Sequence, residues 1–305
     1  MQHTREVGMG SQPERGAGRW WQEPRAWPLA AVGLLLLASG GVHLVVWAVD
    51  GGPWEGPVTW RKPILFGISG GLTALSAGWA FSKLPQRCWD RLLSWMTAVA
   101  LAVEVGLIDL QRWRGVASHF NRDTLLDSIL YDAMGVLILW VTVVSADLTL
   151  RFFRSHVGLP ADMLLAARGG LVALVWSCVL GIWVSVHGEM QITAGLSPEQ
   201  FGPAGVPKFA HGAVIHALQW LPMLAWAGRR LGLDEALRLR LVALATGGTL
   251  LLAVYAFLQT LAGRPRFDGS LPLAVLLAVA VVLMVGPVVL MPLFRRLPPH
   301  TPAAA

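Results

Sequence analysis

Residues 271–294 read LPLAVLLAVAVVLMVGPVVLMPLF, an apolar run with no ionisable side chain. A helix rises about 1.5 Å per residue, so such a run covers the roughly 30 Å hydrocarbon core of a bilayer. Seven more apolar runs lead up to it, near 28–49, 63–83, 91–111, 124–148, 163–186, 208–228 and 240–262. The pattern predicts an all-α fold, a polytopic transmembrane helix bundle of about eight spans. Composition agrees: the chain is 55% hydrophobic and 14% charged, with a mean hydropathy of +0.57. A soluble domain carries about 25% charged residues.

The net charge of +6 and the pI near 10.1 invite a nucleic-acid reading. The arginines fall mostly between spans, however, so the charge reads as topogenic and lipid-facing, with no nucleic-acid partner. If the N-terminus is cytoplasmic, 16 of the 24 Lys and Arg lie in cytoplasmic segments and 8 in outer ones. That bias predicts that both termini are cytoplasmic. No linker divides the chain. We expect an N-terminal tail at 1–27, one eight-helix domain at 28–296 and a short tail at 297–305. Cys88 falls in a loop and Cys178 in a span, so no disulfide is expected, and the absence of C-x-x-C-H argues against covalent c-type haem.

Local signals add detail. Thr124 followed by Asp127 reads as a helix cap. Pro222 should kink the sixth span. Residues 228–241 (GRRLGLDEALRLRL) read as a short surface helix, and the Gly- and Pro-rich stretch 187–207 suits either a lid or a passive loop.

Ionisable groups inside spans mark functional sites by default, because hydrocarbon solvates charge poorly. At about 1.5 Å per residue, His43, Glu104, Asp132, His216 and Tyr255 all lie about 9–12 Å below the same end of the bundle. Such a layer is either interhelical glue or a site. An unpaired buried carboxylate is costly when ionised, so Glu104 is expected to be protonated or paired, His43 or His216 being one such partner. Asp147 reads as a solvated helix terminus.

Two longer motifs flank the layer. Gln111-Arg-Trp-Arg114-Gly-Val-Ala-Ser118-His119-Phe-Asn121 joins the third and fourth spans. Its Arg112, Arg114, Ser118, His119 and Asn121 suit an anionic headgroup, a haem propionate or a phosphate, or else lipid contact and helix capping. The second is Lys208-Phe-Ala-His211-Gly-Ala-Val-Ile-His216-Ala-Leu-Gln219-Trp220-Leu-Pro222. His211 and His216 are about 140° apart on a helix and cannot grip one metal from one face, whereas His216, Gln219 and Trp220 share a face.

Lys62-Pro63, the Arg114–Asn121 loop and the His211–Pro222 helix together resemble an uncharacterised family of bacterial multi-pass membrane proteins. That family has a Lys-Pro helix opening, an R-G-x-x-S-H-F-N loop and an H-x4-H-A-L-Q-x-L-P helix. The resemblance covers roughly the second to sixth spans. It implies a fold and a bacterial cytoplasmic (inner) membrane, but no reaction. Gly212-Ala213 stand where that family has two aromatics, which opens space beside His211.

Three functions are compatible with these residues. The first is a redox protein holding b-type haem between His43 and His216, with Lys62 and Arg114 near the propionates and His119, Asn121, His211 and Gln219 completing the binding set. The second is an enzyme acting on a lipid, isoprenoid or quinone-like ligand. There Glu104 and Asp132 are the catalytic carboxylates, or His43, His216 and Glu104 hold a divalent metal. The third is a proton-coupled transporter with no cofactor, which fits less well because the polar groups thin out toward the cytoplasm.

Overall fold

The computed structural model describes residues 19–294. Most of both expected tails therefore lies outside the described residues. Among the described residues there are helices and no strands. The long helices are α1 (Trp27–Asp50), α2 (Arg61–Lys83), α3 (Asp90–Trp113), α4 (Leu125–Arg154) and α5 (Ala161–Thr193). A short α6 (Pro207–Gly212) then precedes α7 (Ala217–Arg230), α8 (Glu235–Leu261) and α9 (Leu271–Phe294). Seven of these are long and apolar enough to cross a membrane, the build of a multi-pass integral membrane protein.

The expected sixth span, 208–228, is not one helix but two, α6 and α7, separated by a non-helical stretch at 213–216. Pro222 lies inside α7 and does not cause the interruption.

Small residues hold the bundle together. Gly67 and Gly71 of α2 meet Gly40 and Gly33 of α1. A Cβ on Gly67 would lie 2.8 Å from the Gly40 Cα, and one on Gly71 2.7 Å from the Gly33 carbonyl oxygen. Without water inside the bilayer, such close backbone approach supplies the dispersion contact that holds helices together. One apolar cluster joins α1–α5 and a second joins α5 to α7–α9, so α5 is the shared spine. The most apolar helix, α9, is also the least buried.

The capping predicted at Thr124 is present: its hydroxyl oxygen accepts from the Asp127 amide at 3.1 Å. The surface helix expected at 228–241 is not. Leu233 N–H reaches back to the Gly228 carbonyl at 3.1 Å and Gly232 adopts φ 73, which ends α7. Asp234 then caps α8 by accepting from the Leu237 amide at 2.8 Å. The stretch 187–207, read as either a lid or a passive loop, is not all loop. Its first part continues α5 to Thr193, and the remainder is tied down by Ala204 N–H bonding the Gly263 carbonyl at 2.9 Å.

Two buried ion clusters fasten the end opposite the 114–124 loop. Asp90 is fully buried and accepts from Arg151 at 2.7 and 2.9 Å and from Arg25 at 3.3 Å. Asp162, also fully buried, is held by Arg229 and by Arg238 at 3.0 Å. Arg151 and Arg25 were read as topogenic charge. Their burial makes them structural, because each balances a carboxylate that water cannot reach. Asp147 is not a freely solvated terminus either, since it accepts from Arg87 at 3.2 Å.

Candidate functional site

The loops 51–60, 114–124 and 194–206 share one end of the bundle, and most of the predicted residues gather there in separate groups. His43 is 5% exposed. Its Nδ1 lies 2.9 Å from the Ser39 carbonyl and its Nε2 lies 3.0 Å from Trp113 Nε1. A carbonyl only accepts and an indole N–H only donates, so Nδ1 carries the proton and both nitrogens are engaged. Trp60 packs beside the ring, and Asp109 stands 3.9 Å away with its other oxygen accepting from Ser39 at 2.9 Å.

The R-G-x-x-S-H-F-N loop is largely a structural device. Gly115, at φ 74, lets Val116 N–H bond the Gln111 carbonyl at 3.1 Å and close α3. Arg114 does not face an open anion site, because it is bonded to Asp127 at 2.7 Å and to Gln111. Asn121 does not cap α4. Its amide donates to the Ala117 carbonyl at 3.0 Å and its oxygen accepts from Asp123 N–H at 3.1 Å, which shapes the turn. Phe120 adopts φ 57 and lays its ring on Gly188, where a Cβ would come within 2.4 Å of it. Only Ser118 and His119 remain for chemistry. They bond each other at 2.9 Å, and the His119 ring packs between Phe66 and Tyr131. Burial, and then the positive charges of Lys62 and Lys208, push the His119 imidazole down to about 3. Lys62 and His119 are thus within each other's field.

Asp132 is not part of a buried layer. Its side chain is 64% exposed and is held by Arg122 at 2.9 Å, which also reaches Glu189 at 3.3 Å. Glu104 is buried, but it pairs with neither His43 nor His216, and its Oε2 has no partner among the described residues. Asp109, five residues further along α3, is the carboxylate level with His43.

His211 bonds the Ser177 carbonyl of α5 at 2.7 Å, as interhelical glue. Gln219 donates to Ser76 Oγ of α2 at 2.9 Å and to the Leu72 carbonyl at 3.3 Å. His216 stands at the junction between the break and α7. Its Nδ1 is buried without a partner, as is Gln219 Oε1. A cavity of about 380 Å³ opens beside it, lined by Ala213, His216, Trp220, Thr249, Met284 and Val288, among others. Gly212 also lines it, so the space that Gly212-Ala213 were expected to open lies nearer His216 than His211. Among the described residues, the amides of Val214, Ile215 and His216 make no backbone hydrogen bond. Non-helical backbone at membrane depth is tolerated where it lines a cavity or is buried in protein.

No interaction joins His43 to His216, and no group of three His, Cys, Asp or Glu among the described residues is arranged to hold a metal ion. Sequence reasoning missed the roles of Asp109 and Trp113, and gave Asp127 only a capping role. Asp109 carried the available signal, an acid within a span. Compared with family models, curated proteins and solved structures, the chain matches none.

Proposed function

We propose that this membrane protein binds a lipid-soluble ligand in the cavity at the helix break, with His216 as its polar contact. The observation that carries this reading is the cavity of about 380 Å³ that His216 lines, with the His216 Nδ1 left without a hydrogen-bond partner. Ligand sites are concave and mostly apolar, with a few placed polar groups. This cavity is walled by Ala213, Val214, Leu252, Met284, Val285 and Val288. Three of those come from α9, the most apolar and least buried helix. The cavity therefore opens at bilayer depth, between the break in α6–α7 and α9. An extended apolar molecule with one hydrogen-bonding head, such as a quinone-like or isoprenoid ligand, fits that lining.

Haem is supported less well. Both His43 nitrogens are engaged, so ligation would first have to break the Trp113 bond. The arginine bias supports cytoplasmic termini and an inner-membrane location.

A benzophenone-bearing isoprenoid probe tests the site in membranes. Cross-links are expected in peptides containing 212–220 and 284–288, with competition by a short-chain quinone and loss in Ala213→Trp. Labelling spread evenly over the lipid-facing helices would contradict the site.

A further inference from the structure

We propose that the cavity at the helix break prefers a ligand whose head is a hydroxyl, an isoprenoid alcohol or a quinol, over one whose head is a carbonyl or an ether. The proposal rests on the cavity being a ligand site; within it, the ligand hydroxyl donates and His216 Nε2 accepts. His216 Nδ1 is buried without a hydrogen bond. Among the described residues Nε2 makes no hydrogen bond either, but it is not shut off from the surface. It is therefore the ring nitrogen open to the cavity that His216 lines.

A chain of contacts starting on α2 fixes which nitrogen carries the proton. Ser76 Oγ donates its one proton to the Leu72 carbonyl at 2.8 Å, so toward Gln219 it only accepts. The Gln219 side chain lies 2.9 Å from that Oγ and 3.3 Å from the Leu72 carbonyl. Two acceptors there require its NH2 edge, and Oε1 is turned the other way. Oε1 is buried with no hydrogen bond. His216 is the N-cap of α7 and Gln219 its third residue, so the two side chains are neighbours, and the carboxamide acts on the imidazole. Oε1 only accepts, so it draws the ring proton to Nδ1. A lone pair on Nδ1 would instead set two buried acceptors against each other.

Nε2 is then left with its lone pair. The ring stays neutral, because a charged imidazole against an apolar cavity is costly. Among the described residues, the one histidine near a carboxylate at ion-pair distance is His43. Thr249, on the same cavity wall, spends its proton on the Ala245 carbonyl at 2.8 Å and also offers lone pairs only. A carbonyl or ether head would bring a third acceptor to these two, whereas a hydroxyl supplies the missing donor. A donor such as the indole N–H of Trp220, which also lines the cavity, would serve the oxygen of either kind of head and does not discriminate.

The test uses the full chain in membranes and reads competition against the benzophenone-bearing isoprenoid probe. One arm compares geranylgeraniol with its methyl ether. The other compares a decyl-substituted benzoquinol, kept reduced without oxygen, with its quinone. In at least one arm the hydroxyl compound is expected to displace the probe at a concentration about tenfold below that of its twin. The arm that responds assigns the alcohol or the quinol. Gln219→Leu removes Oε1, and the difference should shrink to about twofold or less. Equal or reversed displacement within both pairs in the wild type, or an undiminished difference in Gln219→Leu, would overturn the hydroxyl preference and leave the cavity as a ligand site. No displacement by any of the compounds would remove the ligand site and the preference with it. The tautomer is read separately from nitrogen NMR shifts of histidine-labelled protein, with His216→Gln as the blank. A proton on Nδ1 is expected; a proton on Nε2 would overturn the proposal, and this reading stands even if Gln219→Leu fails to fold.

Discussion

His43 Nε2 on α1 stands 3.0 Å from the indole nitrogen of Trp113 on α3. The bond crosses between two helices and closes one side of a box completed by Trp60 and Asp109. Replacing Trp113 by Phe keeps an aromatic ring, though a smaller one, and removes the donor, leaving a buried imidazole nitrogen unsatisfied. Trp113→Phe is expected to cost about 1–3 kcal/mol, read as a lower unfolding midpoint. An unchanged midpoint would mean that the bond contributes nothing.

The two kinds of buried carboxylate should respond in opposite ways to neutralisation. Asp90 balances Arg151 and Arg25, so Asp90→Asn strands buried positive charge and is expected to cost about 3–5 kcal/mol. Glu104 has no cation partner, and Glu104→Gln should change stability by less than about 1 kcal/mol. Denaturant titration of both variants in mixed micelles checks this, and similar losses would show that Glu104 is balanced by a charge.

The reason these roles were hard to read from sequence is geometric. Hydropathy is one-dimensional, so the long apolar runs located α1–α3 and α9 within about two residues but stopped short of the polar ends of α4, α5 and α8. Whether an acid faces the core depends on helix rotation, which a span-by-span depth estimate ignores. Asp132 and Glu104 have similar depths, yet one is exposed beside Arg122 and the other is buried. The break at 213–216 left no trace because Ala213, Val214 and Ile215 are as apolar as a helix interior. The loop motif was visible, but its specificity came mainly from closing α3 and seating Phe120.

His119 makes acid sensitivity predictable. Its imidazole is pushed from the usual 6.5 to about 3, first by burial and then by Lys62 and Lys208. The unfolded chain therefore binds a proton at this residue where the folded protein does not. The resulting stability is complete above pH 6.5 and is lost as pH falls from there toward 3. Unfolding midpoints measured across that window should fall less steeply for His119→Gln than for the wild type. Parallel curves would remove His119 as the cause.

Glycine positions separate packing from helix propensity. A side chain on Gly67 meets the Gly40 backbone at 2.8 Å, whereas one on Gly135 meets nothing within 4 Å. Gly67→Val is expected to cost about 1–3 kcal/mol by forcing α1 and α2 apart. Gly135→Ala should be neutral or stabilising by up to about 1 kcal/mol. Equal destabilisation of the two variants would argue against a glycine-mediated α1–α2 contact.

Occupancy of the cavity beside His216 is tested most directly by native mass spectrometry of the protein released from its membrane in mild detergent. The wild type is expected to carry a small lipid-soluble molecule that organic solvent extracts and that His216→Ala retains at least tenfold less. Ala213→Trp, which fills the cavity, should carry none while remaining folded. Equal retention of the same molecule by all three proteins would contradict a ligand site at the helix break.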